Sequence, residues 1–322
     1  MSMRKGRRRM KGKVVPRNVR KSENYFQRFA SYFRKNWQLY IIFTLPALLL
    51  TVIFKYLPMF GIIIAFEEYS PVGGYFGSEW IGLYNFERLF SSTEFLRLFV
   101  NTIKLSVYNL LWGFFPPIIL ALLLNRVKNN SLRKKAQLIL YLPYFISVIV
   151  LCGMIRLFFS PVGPVNAFMG TSIDFMSEAS WFRPLYIGSG IWQCIGWSSI
   201  IYSATLAGVD QELIDAARID GATILQQMRK IELPALKPVI VIQFILSAGN
   251  IMSIGFEKAF AMQTDLNKVT SDIIPTYVYR LGLQMGDYGY STAVGLFNSV
   301  INLVLLVLVN CIVKKINDGE GI

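Results

Sequence analysis

With 322 residues, 54% of them hydrophobic, and a positive mean hydropathy, the chain carries more apolar residue than an ordinary soluble domain, and the excess is gathered in blocks. It contains no histidine, which removes the commonest general base and the commonest transition-metal ligand together. The formal net charge of +14 is concentrated at one end. Residues 1–38 hold thirteen Lys or Arg against the single acid Glu23, a net of +12. Such a tail can bind nucleic acid, but its place directly before an apolar run favours retention on the cytoplasmic side against anionic lipid. The basic region is too long for a secretory signal, and no small-residue cleavage site follows.

The first run long enough to cross a bilayer is about 39–58, with Pro46 inside it and Trp37, Tyr40 and Tyr56 at its flanks. The apolar stretch 59–66 extends it or lies at the interface. The segment 67–97 has an acidic excess and reads as an outer loop. A second span, about 99–125, is predicted to break at Pro116-Pro117, and Lys104 is close enough to its outer end to snorkel. The loop from Arg126 to Lys135 has five basic residues and no acid, so it belongs inside. Further spans are predicted at about 138–159, 185–208, 239–259 and 292–313. These features predict an all-α, polytopic membrane protein with six transmembrane helices and both termini on the cytoplasmic side, since lipid offers no partner for open backbone groups. Cys152, Cys194 and Cys311 lie inside the apolar runs, without pairing or metal spacing, and read as buried small hydrophobes. No internal repeat is evident, so the organisation is a basic tail, 1–38, followed by one membrane domain, 39–315.

Between the fourth and fifth runs lies a polar island, 209–237. Ala216, Ala217, Ala222, Leu225, Met228 and Ile231 recur at helical spacing, while Asp210, Glu212, Asp215 and Asp220 load acid onto the early turns, where the helix dipole favours it. Gly221 predicts a corner between two short helices, and Pro234 a stop for the second. The island is too polar to span lipid and too regular for a slack linker, so its apolar face should rest on something.

The order Asp215-Ala216-Ala217, three residues, Gly221, nine residues, Ile231-Glu232-Leu233-Pro234 resembles the EAA loop of the membrane subunits of bacterial ABC importers that depend on a binding protein. One departure is Asp215 where the family usually has glutamate. The resemblance implies a cytoplasmic coupling helix seated in a groove of the ATP-hydrolysing subunit, with Asp215, Ala216, Ala217, Asp220, Gly221, Ala222, Ile231, Leu233 and Pro234 as the coupling residues. Trp80-Ile81-Gly82-Leu83-Tyr84-Asn85-Phe86 is similar to a stretch common in sugar-importing permeases. Tyr141-Leu142-Pro143, Gly255-Phe256-Glu257, the run from Asp272 to Arg280 and Gly295-Leu296-Phe297-Asn298 resemble the branch handling polysaccharide-derived or complex oligosaccharides, which is organised like the maltose-transporter permeases. That resemblance covers about 37–313. It implies a second, different permease, two ATP-binding subunits, an extracytoplasmic sugar-binding protein, and ATP with Mg bound on the partner ATPase.

The chain itself has no G-x-x-x-x-G-K-[ST] motif, so it is expected to be no enzyme and to bind no cofactor or metal. The expected substrate path is two polar stripes. Tyr186, Ser189, Gln193 and Trp197 share one face of the fourth span; Gln243, Ser247, Asn250 and Glu257 share one face of the fifth. Amides suit sugar hydroxyls and aromatic faces cover the C–H side of the ring, although intramembrane Asn, Gln and Ser also serve simply to hold helices together. Glu257 is expected at the outer mouth, paired with Lys258 or Arg280. Asn298 and Asn302 read as helix glue, and Trp80, Tyr84 and Phe86 as an interfacial cap. An importer of another solute class shares the same loop. A membrane-embedded enzyme or scaffold is disfavoured by the absent histidine and the lack of paired carboxylates in any span.

Overall fold

The computed structural model describes residues 25–249, 251, 252 and 254–316; most of the basic tail and Asn250 lie outside the described residues. Two compact units divide after Phe60. In the first, a helix begins at Tyr25, inside the stretch read as tail, and runs to Thr51 with Pro46 in its interior. It continues through a π-turn, Val52–Tyr56, into a 3-10 segment that starts at Leu57. The Leu57 N–H reaches back five residues to the Val52 carbonyl, one residue before Pro58. Widening the turn there avoids a clash of the proline ring with the carbonyl four residues earlier.

The second unit is also helical, apart from a two-residue hairpin that pairs Glu67 with Trp80 and Glu68 with Glu79. Its longest helix, Thr93–Asn125, starts at an N-cap where the Ser92 hydroxyl accepts from the Phe95 N–H at 3.3 Å. It runs unbroken through Pro116 and Pro117, against the expectation of a break. A membrane helix tolerates such prolines because packed neighbours and local adjustments satisfy the freed backbone groups. The helix Phe182–Ala207 lies along it. The last long helix, Tyr288–Ile316, packs on the helix Leu233–Gly249.

Two predicted spans are broken. The third bends by 96° between 130–145 and 148–158. Ile146 and Ser147 are extended, and Ser147 caps the next helix through the Val150 N–H at 3.3 Å. The fifth span starts earlier than expected, at Ile224, passes through a π-turn at Met228–Glu232, and ends at Gly249. Pro234 therefore stops nothing: it sits at the start of a continuing helix, again one residue after a five-residue back-bond, here from Leu233 N–H to the Met228 carbonyl. After Gly249 the chain turns and resumes as the short helix Phe256–Met262. Glu257 is thus on a different helix from Gln243 and Ser247, and the stripe expected to join them does not exist.

Among the described residues four helices are long and apolar enough to cross a membrane, or five if the bent pair is one span. The 26-residue helix Phe182–Ala207 falls outside that set because Gly, Ser, Gln and Trp interrupt its apolar character. Three of those interruptions, Gln193, Gly196 and Ser199, are buried against its neighbours. A Cβ on Gly196 would run into the Leu140 carbonyl and come within 3.0 Å of the Tyr141 ring. Gly196→Ala should therefore lower stability by about 1–3 kcal/mol, as overpacking does. A thermal midpoint of the purified complex unchanged from the parent would show that this close approach is not required.

Candidate functional site

A cavity of about 960 Å³ opens between helices 93–125, 182–207 and 233–249. Of the expected path residues, Tyr186, Gln193, Trp197, Gln243 and Ser247 line it, joined by Asn109, Phe114, Tyr202 and Lys258. Ser189 does not: its hydroxyl donates to the Tyr186 carbonyl at 3.1 Å. Glu257 is exposed and does not line the cavity. Nor does it take the expected partners. The Lys258 Nζ donates to the Tyr186 carbonyl at 2.7 Å, and Arg280 binds Asp272 at 2.7 Å and Glu94 at 3.8 Å.

The cavity sits against both helix breaks, and its side chains serve them. Gln193 Nε2 donates to the Ile146 carbonyl at 2.7 Å, filling the acceptor freed by the 96° bend. That leaves its amide oxygen available. Trp197 stacks on Tyr144 at 4.5 Å and 5°, just before the same bend. At the second break, Asn302 Oδ1 accepts from the Met252 N–H at 3.2 Å and Asn298 Nδ2 donates to the Met252 carbonyl at 3.4 Å. Both asparagines act as the glue expected of them. The Tyr186 hydroxyl, at 3.4 Å, donates to the Gly255 carbonyl.

A separate polar cluster ties Gln263, Asp272, Thr276 and Arg280 to Glu94. Asp272 is fully buried and accepts from Arg280, from Thr276 at 2.8 Å and from Gln263 at 3.3 Å. Burial pulls the Arg280 guanidinium down, but Asp272 and Glu94 outweigh it and hold the group above its ordinary pKa. Trp80 and Phe86 both pack on Phe66, at 5.7 and 5.4 Å, while Trp80 and Tyr84 remain exposed. Of the cysteines only Cys152 is buried; Cys194 and Cys311 are exposed on this chain, contrary to expectation, Cys194 because it lines the cavity.

At the other end, the island forms the helix Gln211–Ile219, a corner and the helix Ile224–Gln227. Asp210 caps the first helix through the Glu212 N–H at 2.9 Å. Gly221 has φ +75°, a left-handed conformation that closes the first helix, and the Ala222 N–H reaches back to the Ala217 carbonyl at 2.9 Å. Thr223 and Gln226 form a reciprocal capping box that starts the second. The apolar face divides. Ile214 is buried and Met228 packs on the cluster of Ile118, Leu122, Tyr202, Leu206 and Leu236. Leu213, Ile219, Ile224 and Leu225 point outward, with Ile219 86% and Leu225 74% exposed. Ala216, Asp220, Leu233 and Pro234 are also exposed, and Ala217, Ala222 and Ile231 are half-buried. Asp215 pairs with Arg218 of its own helix at 2.8 Å, with both side chains about half exposed, a pair worth little in water.

Sequence reasoning missed what holds this corner. Glu232, fully buried, accepts from Asn125 Nδ2 at 2.8 Å and lies 2.6 Å from Arg126 Nη2, close enough for an ion pair though not aligned as a hydrogen bond. Arg126 Nη1 also donates to Gln227 at 3.0 Å, and Gln227 donates to the Ala222 carbonyl at 2.9 Å. A lone acid amid basic residues just before a span was the available signal. Truncating one partner strands a buried charge, so Glu232→Ala should destabilise by about 3–5 kcal/mol, whereas the double change Arg126→Met with Glu232→Leu should restore most of it. Equal thermal midpoints for the single and double variants would contradict that reading.

Residues 113–318 match a family model described as binding-protein-dependent transport system inner membrane component. The chain is 44% identical over 283 residues to the polygalacturonan/rhamnogalacturonan transport system permease protein YteP of Bacillus subtilis (strain 168), covering 86% of this chain and 88% of that one. Protein LplB of the same organism is 42% identical over 294 residues, 90% of this chain and 92% of its own. A chain of a bacterial alginate ABC transporter, solved in complex with an alginate pentasaccharide-bound periplasmic protein, superposes with a TM-score of 0.83 at 36% identity, over 92% of this chain and 100% of that one. A multi-helical chain with this loop and this cavity thus belongs to the family of inner-membrane components of binding-protein-dependent transport systems.

Proposed function

We propose that the chain is one of two different permease subunits of an ATP-driven importer that moves oligosaccharides across the bacterial cytoplasmic membrane. The observation that carries this is the cavity, where amides and aromatic faces converge on a space large enough for several sugar rings. The names of YteP and of the alginate transporter support the substrate class. On this reading the chain crosses the membrane six times. Helix 182–207 is the fourth span despite its polar content, the bent pair is the third, and both termini are cytoplasmic. Tyr186, Gln193, Trp197 and Gln243 line the sugar path.

ATP is bound with Mg and hydrolysed by two partner subunits. Their closure is received at the corner built on Asp215, Ala216, Ala217, Asp220, Gly221 and Ala222, with Ile231, Leu233 and Pro234 leading into the next span. The outward Leu213, Ile219, Ile224 and Leu225 supply an apolar contact for an ATPase groove. Asp215 exchanges Arg218 for a partner on docking at little cost, because an exposed pair stabilises weakly. Transport then needs only that this corner drag the ends of helices 93–125 and 233–249, to which Arg126 and Glu232 tie it.

The test is reconstitution with the neighbouring permease, ATPase and binding protein. Asp215→Lys and Gly221→Pro should each lower ATP-dependent oligosaccharide uptake at least tenfold, with the ATPase no longer copurifying. Normal uptake and copurification in both variants would show that the island is not the coupling element.

A further inference from the structure

Lys258 is the only charged side chain among the described residues lining the cavity. It is 8% exposed, and no carboxylate of the described residues lies within ion-pair distance. Its Nζ donates once, to the Tyr186 carbonyl at 2.7 Å, and stands 4.7 Å from the Tyr186 ring centre. An ammonium has three donors, so two remain for the cavity. Space is kept for it, since a Cβ on Gly190 would come within 3.1 Å of Nζ.

A neutral side chain could bridge to the Tyr186 carbonyl equally well. A cation held in a low-dielectric bundle without a counter-ion is costly, and such residues mark ion or substrate pathways. A second group in the same cavity is also left open. The Ser106 hydroxyl is 4% exposed and makes no hydrogen bond among the described residues.

We infer that Lys258 is an anion subsite of the transport cavity, taking the carboxylate of an acidic sugar residue, so that the oligosaccharides carried are uronic-acid-containing ones. This rests on the oligosaccharide-import reading. The ammonium meets the carboxylate with its two free N–H groups. The amide oxygen of Gln193, together with Asn109 and Gln243, engages ring hydroxyls, and the Trp197 face covers the C–H side. A carboxylate also completes the charge balance of the cavity, so the subsite favours an acidic sugar over its neutral ester by charge as well as by shape.

The experiment uses the assembled complex in zwitterionic-lipid nanodiscs, so that no anionic headgroup competes. Binding of a galacturonic acid trisaccharide and of its methyl ester is followed by intrinsic tryptophan fluorescence in the absence of binding protein. The parent should bind the acid at least tenfold more tightly than the ester. Lys258→Met should bring the two within twofold, and Lys258→Arg should keep the preference within threefold of the parent. Copurification of the second permease and the ATPase with each variant certifies an intact complex. No acid preference in the parent, or a preference that Lys258→Met retains, overturns the inference. Oligosaccharide uptake by the reconstituted parent separates the two readings: uptake without acid preference removes only the subsite, whereas a complex importing no sugar removes both.

Discussion

The constraint on which the rest of this structure depends is that a backbone group inside a membrane must find its hydrogen bond within the protein. Where the predicted third and fifth spans break, carbonyls and N–H groups come free. Three of them are taken by side chains from other helices: the Ile146 carbonyl by Gln193, and the Met252 carbonyl and N–H by Asn298 and Asn302. Near the second break Tyr186 bonds the Gly255 carbonyl and Lys258 bonds the Tyr186 carbonyl. Gln193, Tyr186 and Lys258, which bond backbone groups at or near the breaks, also line the cavity.

At the opposite end the requirement differs. On the proposed function the loop receives force and must be stiff, and three local devices stiffen it: a left-handed glycine at 221, a reciprocal cap at Thr223 and Gln226, and a buried charge pair fastening the corner to the foot of helix 93–125. The pair joins two segments about a hundred residues apart in sequence. It fastens the corner, which leads from helix 182–207 into helix 233–249, to the end of helix 93–125, the mechanical property that the proposed coupling role needs.

Much of this was legible in the sequence, and the failures share a physical origin. Apolar runs pointed to the long helices, although the first begins at Tyr25 within the stretch read as tail, and spacing located the corner at Gly221, because both properties are local. Periodicity carried Gln243 through Glu257 as one stripe, because it assumes an unbroken helix and cannot register that the chain turns after Gly249. Pro116-Pro117 and Pro234 carried too much weight as helix breakers, since packing and widened turns absorb a missing N–H. Arg126 with Glu232 and Lys258 with Tyr186 are tertiary pairs; nothing in the one-dimensional pattern brings them together. Gln193 was singled out for its chemistry and proves to serve structure and cavity at once.

The claim that matters most is that the cavity is the route taken by the sugar, and the chain carries its own probe in Cys194, which lines it. With Cys152→Ala and Cys311→Ser, the rate at which a membrane-impermeant maleimide labels Cys194 can be followed in the reconstituted complex. The account predicts that labelling slows at least severalfold when the binding protein delivers oligosaccharide, and changes again when the ATPase is trapped with nucleotide. A rate indifferent to both would show that the cavity is not on the transport path.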